Sequence, residues 1–476
     1  MTARSTVTTV LEIAGAAARI REHNRRTGRS LAVLDDDPTG SQAVHGVSVV
    51  TVLERSEYAA GLAAQGDTCF VLTNTRALDE SRAVALNRAV ASDLYTLAAE
   101  SGTTVEVVSR SDSTLRGHVL AEINAIAAEH LAATGRAVDG VLFCPAMLEA
   151  GRFTVDDVHF AVVDGVPTPV GETEFARDKT FGYTSSNLRD FIAERSGVAV
   201  TDVRSLTLED IRLGGPERVA DILTDVSGLG WVIVNCTSYA DLEVVALGVQ
   251  LARDAGKTFL TRSGPSFVRA LAGIEAQHVL DPADIAIDGS RSRHGLIAVG
   301  SHVGLTTRQV QAARQRGGLI EVELRVPALL DSRTAAAYID EAAARIVAAL
   351  PESDVLVCTS RDLVAVDGDP DASLNISRTV SAALVSVVQK ARAAFPAWVV
   401  AKGGITSHDL AVRGLGIRRA TVAGQFLPGQ ISLLTPDEAP ADVVGCPFVV
   451  FPGNVGGVDA LAHVHDRLRA ATEGVR

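Results

Sequence analysis

The chain has 476 residues, which is too long for one ordinary hydrophobic core and predicts two or three domains. Its formal net charge of −13 argues against nucleic acid as the main partner, and an anionic substrate would need a local cluster of arginines. Five scattered cysteines without a C-x-x-C pair favour free thiols in a reducing compartment over a disulfide framework. No apolar run is long enough to span a bilayer, so we expect a cytoplasmic protein with no membrane partner.

The first part of the chain alternates short apolar runs with longer amphipathic segments. A helix is predicted over 11–26, where Ala and Ile alternate with Arg and Glu at helical spacing. Further helices are predicted over 80–99 and 240–254. Strands that alternate with helices predict a parallel sheet, whose ligands bind at the carboxyl ends of the strands. That rule selects the turns LDDDPTG, TNTRAL, SRSDSTLRG, CPAMLEAGR, NCTSYAD and TRSGPSF.

A segment at 278–294 loses this alternation and gains Asp, Ser and Pro, which is typical of a linker. A second run of strand-like segments follows it, including GLIAVGSH, DVLVCTSR, WVVAKGGITS and CPFVVFPGN. We therefore predict an α/β protein of two domains, each a mostly parallel sheet flanked by helices. The first domain spans 1–277 and begins with a helical extension at 1–30, and the second spans 295–476.

Acidic and basic side chains cluster at the predicted strand ends of the first domain. Three adjacent aspartates close the first strand, and their mutual repulsion indicates that Asp36 and Asp37 face cations or substrate hydroxyls, with a solvated turn as the simpler alternative. The next cluster brings Ser111, Asp112 and Arg116 together. An arginine fork suits a carboxylate, and Asp and Ser suit hydroxyls, so this cluster predicts a polyhydroxylated carboxylate as the ligand.

Arg152 adds a cation at the next strand end, in the sequence EAGR. A metal site from Asp157 and His159 is an alternative use of the segment that follows. The run FARDKTFGYTSSNL is predicted to form a lid or a wall of the sugar pocket. A Ser–His–Asp hydrolase is discounted because the sequence has no G-x-S-x-G elbow.

Three glycine-rich strand ends in the second domain predict a nucleotide site. They lie at 300–302, at 403–406 directly after Lys402, and at 453–457. Glycines let bare backbone approach an anion, and a helix that begins after the turn favours negative charge at its N-terminus. Neither a Walker A pattern nor a G-x-G-x-x-G opening a helix occurs, so the prediction depends on these turns.

The motifs LDDDPTGSQ, SDSTLRG, FARDKTFGY, GPSFVRA, KGGITS and PGN occur in an order that resembles the four-carbon acid sugar kinases. The resemblance covers nearly the whole chain, from about Leu31 to Gly457. It implies a sugar-acid-binding N-terminal domain and a nucleotide-binding C-terminal domain. It also implies phosphorylation of the 4-hydroxyl of erythronate, threonate or a 3-oxo-tetronate by ATP with Mg²⁺. The nucleotide contacts that it implies are Ser301, Gly403, Gly404, Ile405, Thr406 and Gly453.

Two positions depart from the family pattern. Phe451 stands where a lysine commonly precedes Pro-Gly-Asn, so a phosphate role for that lysine would pass to Lys402 or to an arginine. Ile405 and Thr406 stand where many members have an acidic residue and Thr, which leaves the metal ligands unassigned.

These inferences give a kinase hypothesis in which the active site lies in the cleft between the two domains. We expect Asp37 or Asp112 to accept the hydroxyl proton and Lys402 to lie near the phosphates. An aldolase or isomerase of phosphorylated sugar acids and a non-catalytic sugar-acid sensor are the alternatives, and a homodimer is left open. The predicted substrate-binding residues are Asp36, Ser111, Arg116 and Arg152.

Overall fold

The structure is a computed structural model in which the chain divides into two compact units, Met1–Ala276 and Gln277–Arg476. Residues 38–42, which complete the LDDDPTGSQ motif, lie outside the described residues. No helix in the described part of the chain is both long and apolar enough to cross a membrane. The structure describes residues 9–37, 43–360 and 370–474.

The first unit forms strands wherever the sequence has short runs of Val, Ile, Leu and Phe, as β-branched and aromatic residues favour. Four of these strands are buried along all or nearly all of their length, which explains why they do not alternate between apolar and polar residues. The strands are β1 Arg29–Asp35, β2 Ser48–Val50, β3 Thr68–Leu72, β4 Thr104–Arg110, β5 Gly140–Cys144, β6 Arg152–Val155, β7 Val158–Val163, β8 Val166–Pro169, β9 Arg204–Leu206, β10 Gly230–Val234 and β11 Phe259–Ser263.

Eight of the described strands form one parallel sheet in the order β2-β3-β1-β4-β11-β5-β10-β9. Parallel pairing brings the carboxyl ends of β1, β4, β5 and β11 to one edge. Asp35 lies opposite Arg110 in the register of β1 and β4, and Ser263 lies opposite Arg110 in that of β11 and β4. The selected turns of the first domain therefore share this edge.

The helices of the first unit begin and end at recognisable signals. Asp79 caps one helix by accepting a hydrogen bond from the Arg82 amide at 3.0 Å, and Gly102 ends it with a positive φ of 67°. Ser238 and Asp241 form a capping box on another. The helices are α1 Ala16–Arg26, α2 Arg55–Gly61, α3 Glu80–Ser101, α4 Val119–Thr134, α5 Leu188–Ser196, α6 Leu208–Arg212, α7 Gly215–Thr224, α8 Tyr239–Asp254 and α9 Pro265–Ala272.

Strands β6, β7 and β8 form a separate antiparallel sheet that the sequence did not predict. The backbones of Thr154 and Cys236 exchange hydrogen bonds of 3.1 and 3.0 Å, which attach this small sheet to the segment after β10. A second pair of backbone hydrogen bonds, between Met147 and Arg152, places the first residue of β6 beside the turn that follows β5.

The second unit also contains a mostly parallel sheet, in the order β13-β14-β12-β15-β18-β17-β16. Strand β17 is antiparallel to both of its neighbours, and the other pairings are parallel. The strands are β12 Leu296–Val299, β13 Leu319–Leu324, β14 Asp354–Thr359, β15 Val399–Lys402, β16 Arg419–Leu427, β17 Ile431–Glu438 and β18 Phe448–Phe451. The helices are α10 Gly304–Arg316, α11 Val326–Leu330, α12 Ala335–Ala349, α13 Pro370–Ala391, α14 Gly404–Asp409 and α15 Ala460–Gly474.

Two α/β units, each with a mostly parallel sheet and helices, confirm the predicted fold class. Leu280 and Ile285 from the segment predicted as a linker are buried in the apolar core of the second unit, together with Trp398. The domain limits and a cleft site between the domains stay predictions.

Candidate functional site

The three adjacent aspartates at the end of β1 have different surroundings. Asp35 is fully buried, and its Oδ1 lies 2.8 Å from Arg110 Nη1 and accepts a hydrogen bond from the Asp37 amide at 3.1 Å. Burial raises the pKa of Asp35 to about 7, although Arg110 acts in the opposite direction. Asp35 therefore anchors the turn.

Arg76 connects the carboxylates at this edge. Its guanidinium lies 2.5 Å from Asp36 Oδ1, 3.0 Å from Asp37 Oδ2 and 3.8 Å from Asp112 Oδ1. These contacts bring together three of the predicted site residues, and we call the four residues the Arg76 cluster. Sequence reasoning selected the TNTRAL turn but did not single out Arg76, the charged residue within it.

Asp112 is held as an anion within the Arg76 cluster. Its Oδ2 accepts a hydrogen bond from Arg116 Nε at 2.6 Å and another from Thr114 Oγ1. Burial raises the pKa of Asp112, but Arg76 and Arg116 outweigh burial and bring that pKa well below its usual range. Ser111 is buried beside it, and its amide donates to the carbonyl oxygen of residue 263 at 2.8 Å.

A second arginine that sequence reasoning missed lies beneath this cluster. Arg262 is fully buried, forms an ion pair with Glu122, and lies 4.0 Å from Asp36 Oδ2. Gly117 has a φ of 111°, and a Cβ there would lie 3.0 Å from both Arg262 Nη2 and Asp36 Oδ2. The close packing of these charges explains the glycine in the motif SDSTLRG.

Arg152 differs from the other arginines at this edge. Its Nη1 donates to Ser113 Oγ at 2.8 Å, and among the described residues no carboxylate forms a salt bridge with it. The ring of Phe175 lies near two guanidiniums, with its centroid 5.5 Å from Arg152 Cζ and 5.4 Å from Arg116 Cζ. Phe175 begins the segment that was predicted to form a wall or a lid.

Glu149 stabilises the loop that carries Arg152. It accepts hydrogen bonds from Tyr239 Oη and from Ser266 Oγ, the latter at 3.0 Å, and it lies 3.7 Å from Arg269 Nη1. These contacts join the turn after β5 to the helices α8 and α9.

The alternative metal site at Asp157 and His159 has no free imidazole nitrogen. His159 Nδ1 lies 2.9 Å from Thr154 Oγ1, and His159 Nε2 lies 2.9 Å from the Ser113 carbonyl oxygen. Burial lowers the pKa of His159 to about 4, so its ring is neutral near pH 7. His159 therefore supports β6 and the Ser113 turn.

The glycine turns of the second unit meet one another at the ends of β12, β15 and β18. Thr306 Oγ1 lies 3.1 Å from Ser301 Oγ and 2.9 Å from the Gly453 carbonyl oxygen. A Cβ on Gly453 would lie 2.6 Å from Ser301 Oγ. At the turn after β15, a Cβ on Gly403 would lie 2.9 Å from Thr406 Oγ1. The predicted nucleotide residues thus form one closely packed group.

The turn after β15 leaves backbone amides without intrahelical acceptors at the start of α14. Gly403 has a φ of 125°, which favours glycine, and its amide donates to the Phe451 carbonyl oxygen at 2.8 Å. The first intrahelical bond runs from the Ser407 amide to the Gly403 carbonyl oxygen, so the amides of 404–406 precede it and have no intrahelical acceptor. Ile405 is 76% exposed at this position.

Lys402 is fully buried beneath the Gly453 turn. Its Nζ donates to the carbonyl oxygen of Pro452 at 2.6 Å, lies 3.3 Å from that of Gly453, and lies 3.8 Å from the centroid of the Phe451 ring. Burial lowers the pKa of Lys402 to about 7. The side chain supports the turn from inside the unit.

One group of three potential metal ligands occurs among the described residues. It consists of His278, Asp281 and Asp284, which are all exposed and belong to the segment predicted as a linker. Within the described ranges, no such group adjoins the glycine turns, so the metal ligands stay unassigned.

Two family models match the chain. The model of a sugar-binding N-terminal domain matches residues 31–271, and the model of a nucleotide-binding C-terminal domain matches residues 296–461. The chain belongs to the four-carbon acid sugar kinase family, which confirms the resemblance seen in the motifs.

Individual relatives agree with this assignment. A D-threonate kinase from Salmonella typhimurium (strain LT2) is 27% identical over 295 residues, which cover 60% of this chain and 61% of that protein. The crystal structure of Haemophilus influenzae protein HI1011 has a TM-score of 0.64 at 16% identity and covers 92% of this chain and 100% of its own. A Salmonella typhimurium LT2 structure with the provisional name tRNA synthase has a TM-score of 0.68 at 16% identity. The match covers 91% of this chain and 98% of that chain. At these identities, the two structures show the fold alone.

Proposed function

We propose that this protein is an ATP-dependent kinase that phosphorylates the 4-hydroxyl of a four-carbon sugar acid, with D-threonate as the first substrate to test. The family and the similarity to a D-threonate kinase support the reaction class. The observation that most directly supports the substrate class is Arg152, a cation without a carboxylate partner among the described residues. Burial lowers the pKa of Arg152, although the carboxylate of Asp112 acts in the opposite direction, and a substrate carboxylate would further compensate this poorly solvated charge.

The other polar groups at this edge would orient the hydroxyls. Ser111 and Asp36 would bind them, with Arg116 assisting Arg152 at the carboxylate. Asp37 is the better proton acceptor in this proposal, because its side chain is 28% exposed. Asp112 has a pKa well below its usual range, which makes its carboxylate a weak base.

ATP would bind at the glycine turns of the second unit. The amides of 404–406 and the N-terminus of α10 after β12 provide donors and positive dipole ends that suit phosphates. The close contact between Gly453 and Ser301 fits a turn that admits no larger side chain. Mg²⁺ would neutralise phosphate charge when bound, and it needs only one or two protein carboxylates because phosphates and water fill its remaining positions.

The protein's share of the chemistry is positioning and charge stabilisation. Phosphoryl transfer has a loose transition state that needs the hydroxyl in line with the γ-phosphate. Arg152 would fix one end of the sugar acid, and Asp37 would receive the proton from the hydroxyl at the other end. Lys402 would act indirectly, by holding the Pro452 and Gly453 carbonyls of the nucleotide turn.

The test is ADP formation by the purified full-length protein with ATP, Mg²⁺ and a panel of D-threonate, L-threonate, D-erythronate, L-erythronate and 3-oxo-tetronate. We expect ADP and a 4-phosphorylated acid in equal amounts for at least one acid, and a large loss of rate in Arg152→Met. No ADP formation with any acid would contradict the proposal. Conversion of a phosphorylated acid without ATP would indicate the aldolase or isomerase alternative, and acid binding without turnover would indicate the sensor.

A further inference from the structure

A cavity of about 220 Å³ opens at the amino ends of β1, β4 and β11 in the first unit. Arg29, Glu106 and Phe259 line it from these strands, and we term it the amino-edge cavity. The candidate substrate residues lie at the opposite ends of the same strands. Along β1, Arg29 and Asp35 are about 20 Å apart at about 3.3 Å per residue, so the cavity is separate from the candidate active site.

Cations outnumber carboxylates in the lining of the amino-edge cavity. Glu106 is the carboxylate among its lining residues, and it forms a buried ion pair with Arg253. An excess of positive charge in a partly enclosed space attracts anions, because water screens it less there than at an open surface. The cationic lining residues are Arg29, Arg136, Arg253 and Lys257.

Arg29 is a lining cation that forms no salt bridge with any described residue. Lys257 lies 3.3 Å from Asp139, and Arg136 donates to a backbone carbonyl at 2.8 Å. Arg29 Nη1 is enclosed, and no described residue accepts a hydrogen bond from it. Burial and the neighbouring Arg253 lower the pKa of Arg29, and the carboxylates of Glu106 and Asp254 offset this lowering only in part. An anion in the cavity would supply the negative charge that Arg29 lacks.

Another part of the lining is apolar and aromatic. The rings of Tyr95 and His130 meet edge to face with their centroids 5.3 Å apart, and Val105 and Leu260 lie in the same lining. Burial lowers the pKa of His130, with Arg136 acting in the same direction, so its ring is neutral near pH 7. A purely polar ion would leave these surfaces facing water.

We propose that the amino-edge cavity binds a small organic anion with an apolar or aromatic body, whose carboxylate contacts Arg29 and whose body contacts Tyr95 and His130. The volume of about 220 Å³ is smaller than the roughly 300–1,000 Å³ of pockets for drug-sized ligands, which suits a single-ring carboxylate. Benzoate is the simplest probe of this class. The proposal does not depend on the kinase reaction.

Calorimetric titration of benzoate into the full-length protein tests this binding, with acetate as the anion that lacks a ring. We expect saturable benzoate binding that is about 10-fold weaker in Arg29→Gln, and acetate binding that is weaker than benzoate binding by about 5-fold or more. Arg218→Gln is the matched control, because Arg218 is an exposed arginine of the same unit paired with Asp210, and it should keep the wild-type affinity. Equal benzoate affinity in wild type and Arg29→Gln would overturn the proposal, as would equal affinities for benzoate and acetate.

Two further measurements separate this cavity from the proposed substrate site. Arg152→Met should keep its benzoate affinity, and D-threonate should not displace benzoate; displacement would show that the anion occupies the substrate site and would overturn the proposal. Phenylglyoxal labelling of the wild-type protein needs no variant that has to fold. Benzoate should slow the labelling of Arg29 but not of Arg218, and an unchanged rate at Arg29 would contradict the assignment.

Discussion

Arg116 and Arg152 lie at the same edge of the first unit but differ in the number of carboxylates with which they form salt bridges. Arg116 Nε donates to Asp112 at 2.6 Å, and Arg116 Nη1 lies 3.8 Å from Asp178. Arg152 has a neutral hydrogen-bond partner and no carboxylate partner in the described ranges. We therefore expect Arg152 to contribute more than Arg116 to binding a substrate carboxylate.

The substitution Arg152→Lys tests this difference, because lysine keeps the charge but lacks the planar fork. We expect the KM for the sugar acid to rise by about 10-fold, which corresponds to ~1.4 kcal/mol, with the KM for ATP unchanged. Arg116→Lys should give a smaller rise. Arg218→Lys is the control, since Arg218 is exposed and pairs with Asp210 away from this edge. A rise in the KM for ATP alone would assign Arg152 to the phosphates.

Lys402 should make the stability of the second unit depend on pH. Its pKa falls from an ordinary value of 10.5 to about 7, because burial disfavours the ammonium form. Between these values the unfolded chain binds more protons than the folded chain, so the free energy of unfolding rises with pH. Below pH 7, the folded unit bears the full free-energy cost of burying the ammonium charge. This cost falls as the pH rises and reaches zero near pH 10.5. The slope from this one proton approaches about 1.4 kcal/mol per pH unit.

Urea unfolding followed by the fluorescence of Trp398, in a Trp231→Phe background, measures this effect, since these are the two tryptophans of the chain. Between pH 7 and pH 9, the unfolding free energy of the parent should rise relative to that of Lys402→Met, which lacks the titrating group. Lys390→Met, at an exposed lysine paired with Asp340, should follow the parent curve. Parallel curves for the parent and Lys402→Met would contradict the shifted pKa.

The sequence predicted some charged residues of the candidate site and missed others for a physical reason. Asp36, Asp37 and Asp112 follow strands directly, so the rule for parallel sheets was sufficient to place them at one edge. Arg76 and Arg262 owe their positions to partners that are 40 and 140 residues away, at Asp36 and Glu122 respectively. Pairing over such distances leaves no local pattern, and a buried arginine within a strand resembles any charged residue in an apolar run.

At the scale of elements, periodicity predicted the long helices and the buried strands. The helices predicted over 80–99 and 240–254 correspond to α3 and α8 within two residues at each end. The antiparallel sheet of β6–β8 was missed because its strands are short and half-exposed. A usable signal was present: Asp164 and Gly165 have φ values of 51° and 81°, as in the Asp-Gly type I′ turns that join hairpin strands.

The packed glycine turns of the second unit allow a test with a control from the same segment. In Gly453→Ala the new Cβ would lie 2.6 Å from Ser301 Oγ, so either the Ser301 hydroxyl must leave Thr306 or the two turns must move apart. We expect a higher KM for ATP and a loss of stability on the order of 1–3 kcal/mol. Gly457→Ala adds a Cβ with nothing within 4 Å and should change neither quantity. Equal ATP kinetics in both variants would remove Gly453 from the proposed nucleotide site.

At the scale of the whole molecule, each unit has its own apolar core. The first includes Phe143, Phe191 and Trp231, and the second includes Trp398 and Phe451. The two family models follow the same division, with one match on each side of residue 277. Each unit therefore has the means to be stable and to bind a ligand through its own strand ends.

Hydrogen exchange of the full-length protein tests how the two ligands are divided between the units. ATP alone should protect backbone amides at 300–306 and 402–406, and the sugar acid alone should protect those at 110–116. A ligand at 100 times its dissociation constant stabilises the unit that binds it by about 2.7 kcal/mol, which slows exchange from that unit by up to about 100-fold. Amides of β13, which carries none of the predicted contacts, serve as the reference for local protection. If the sugar acid protected 402–406, or if either ligand alone protected both units equally, the assignment of one ligand to each unit would be wrong.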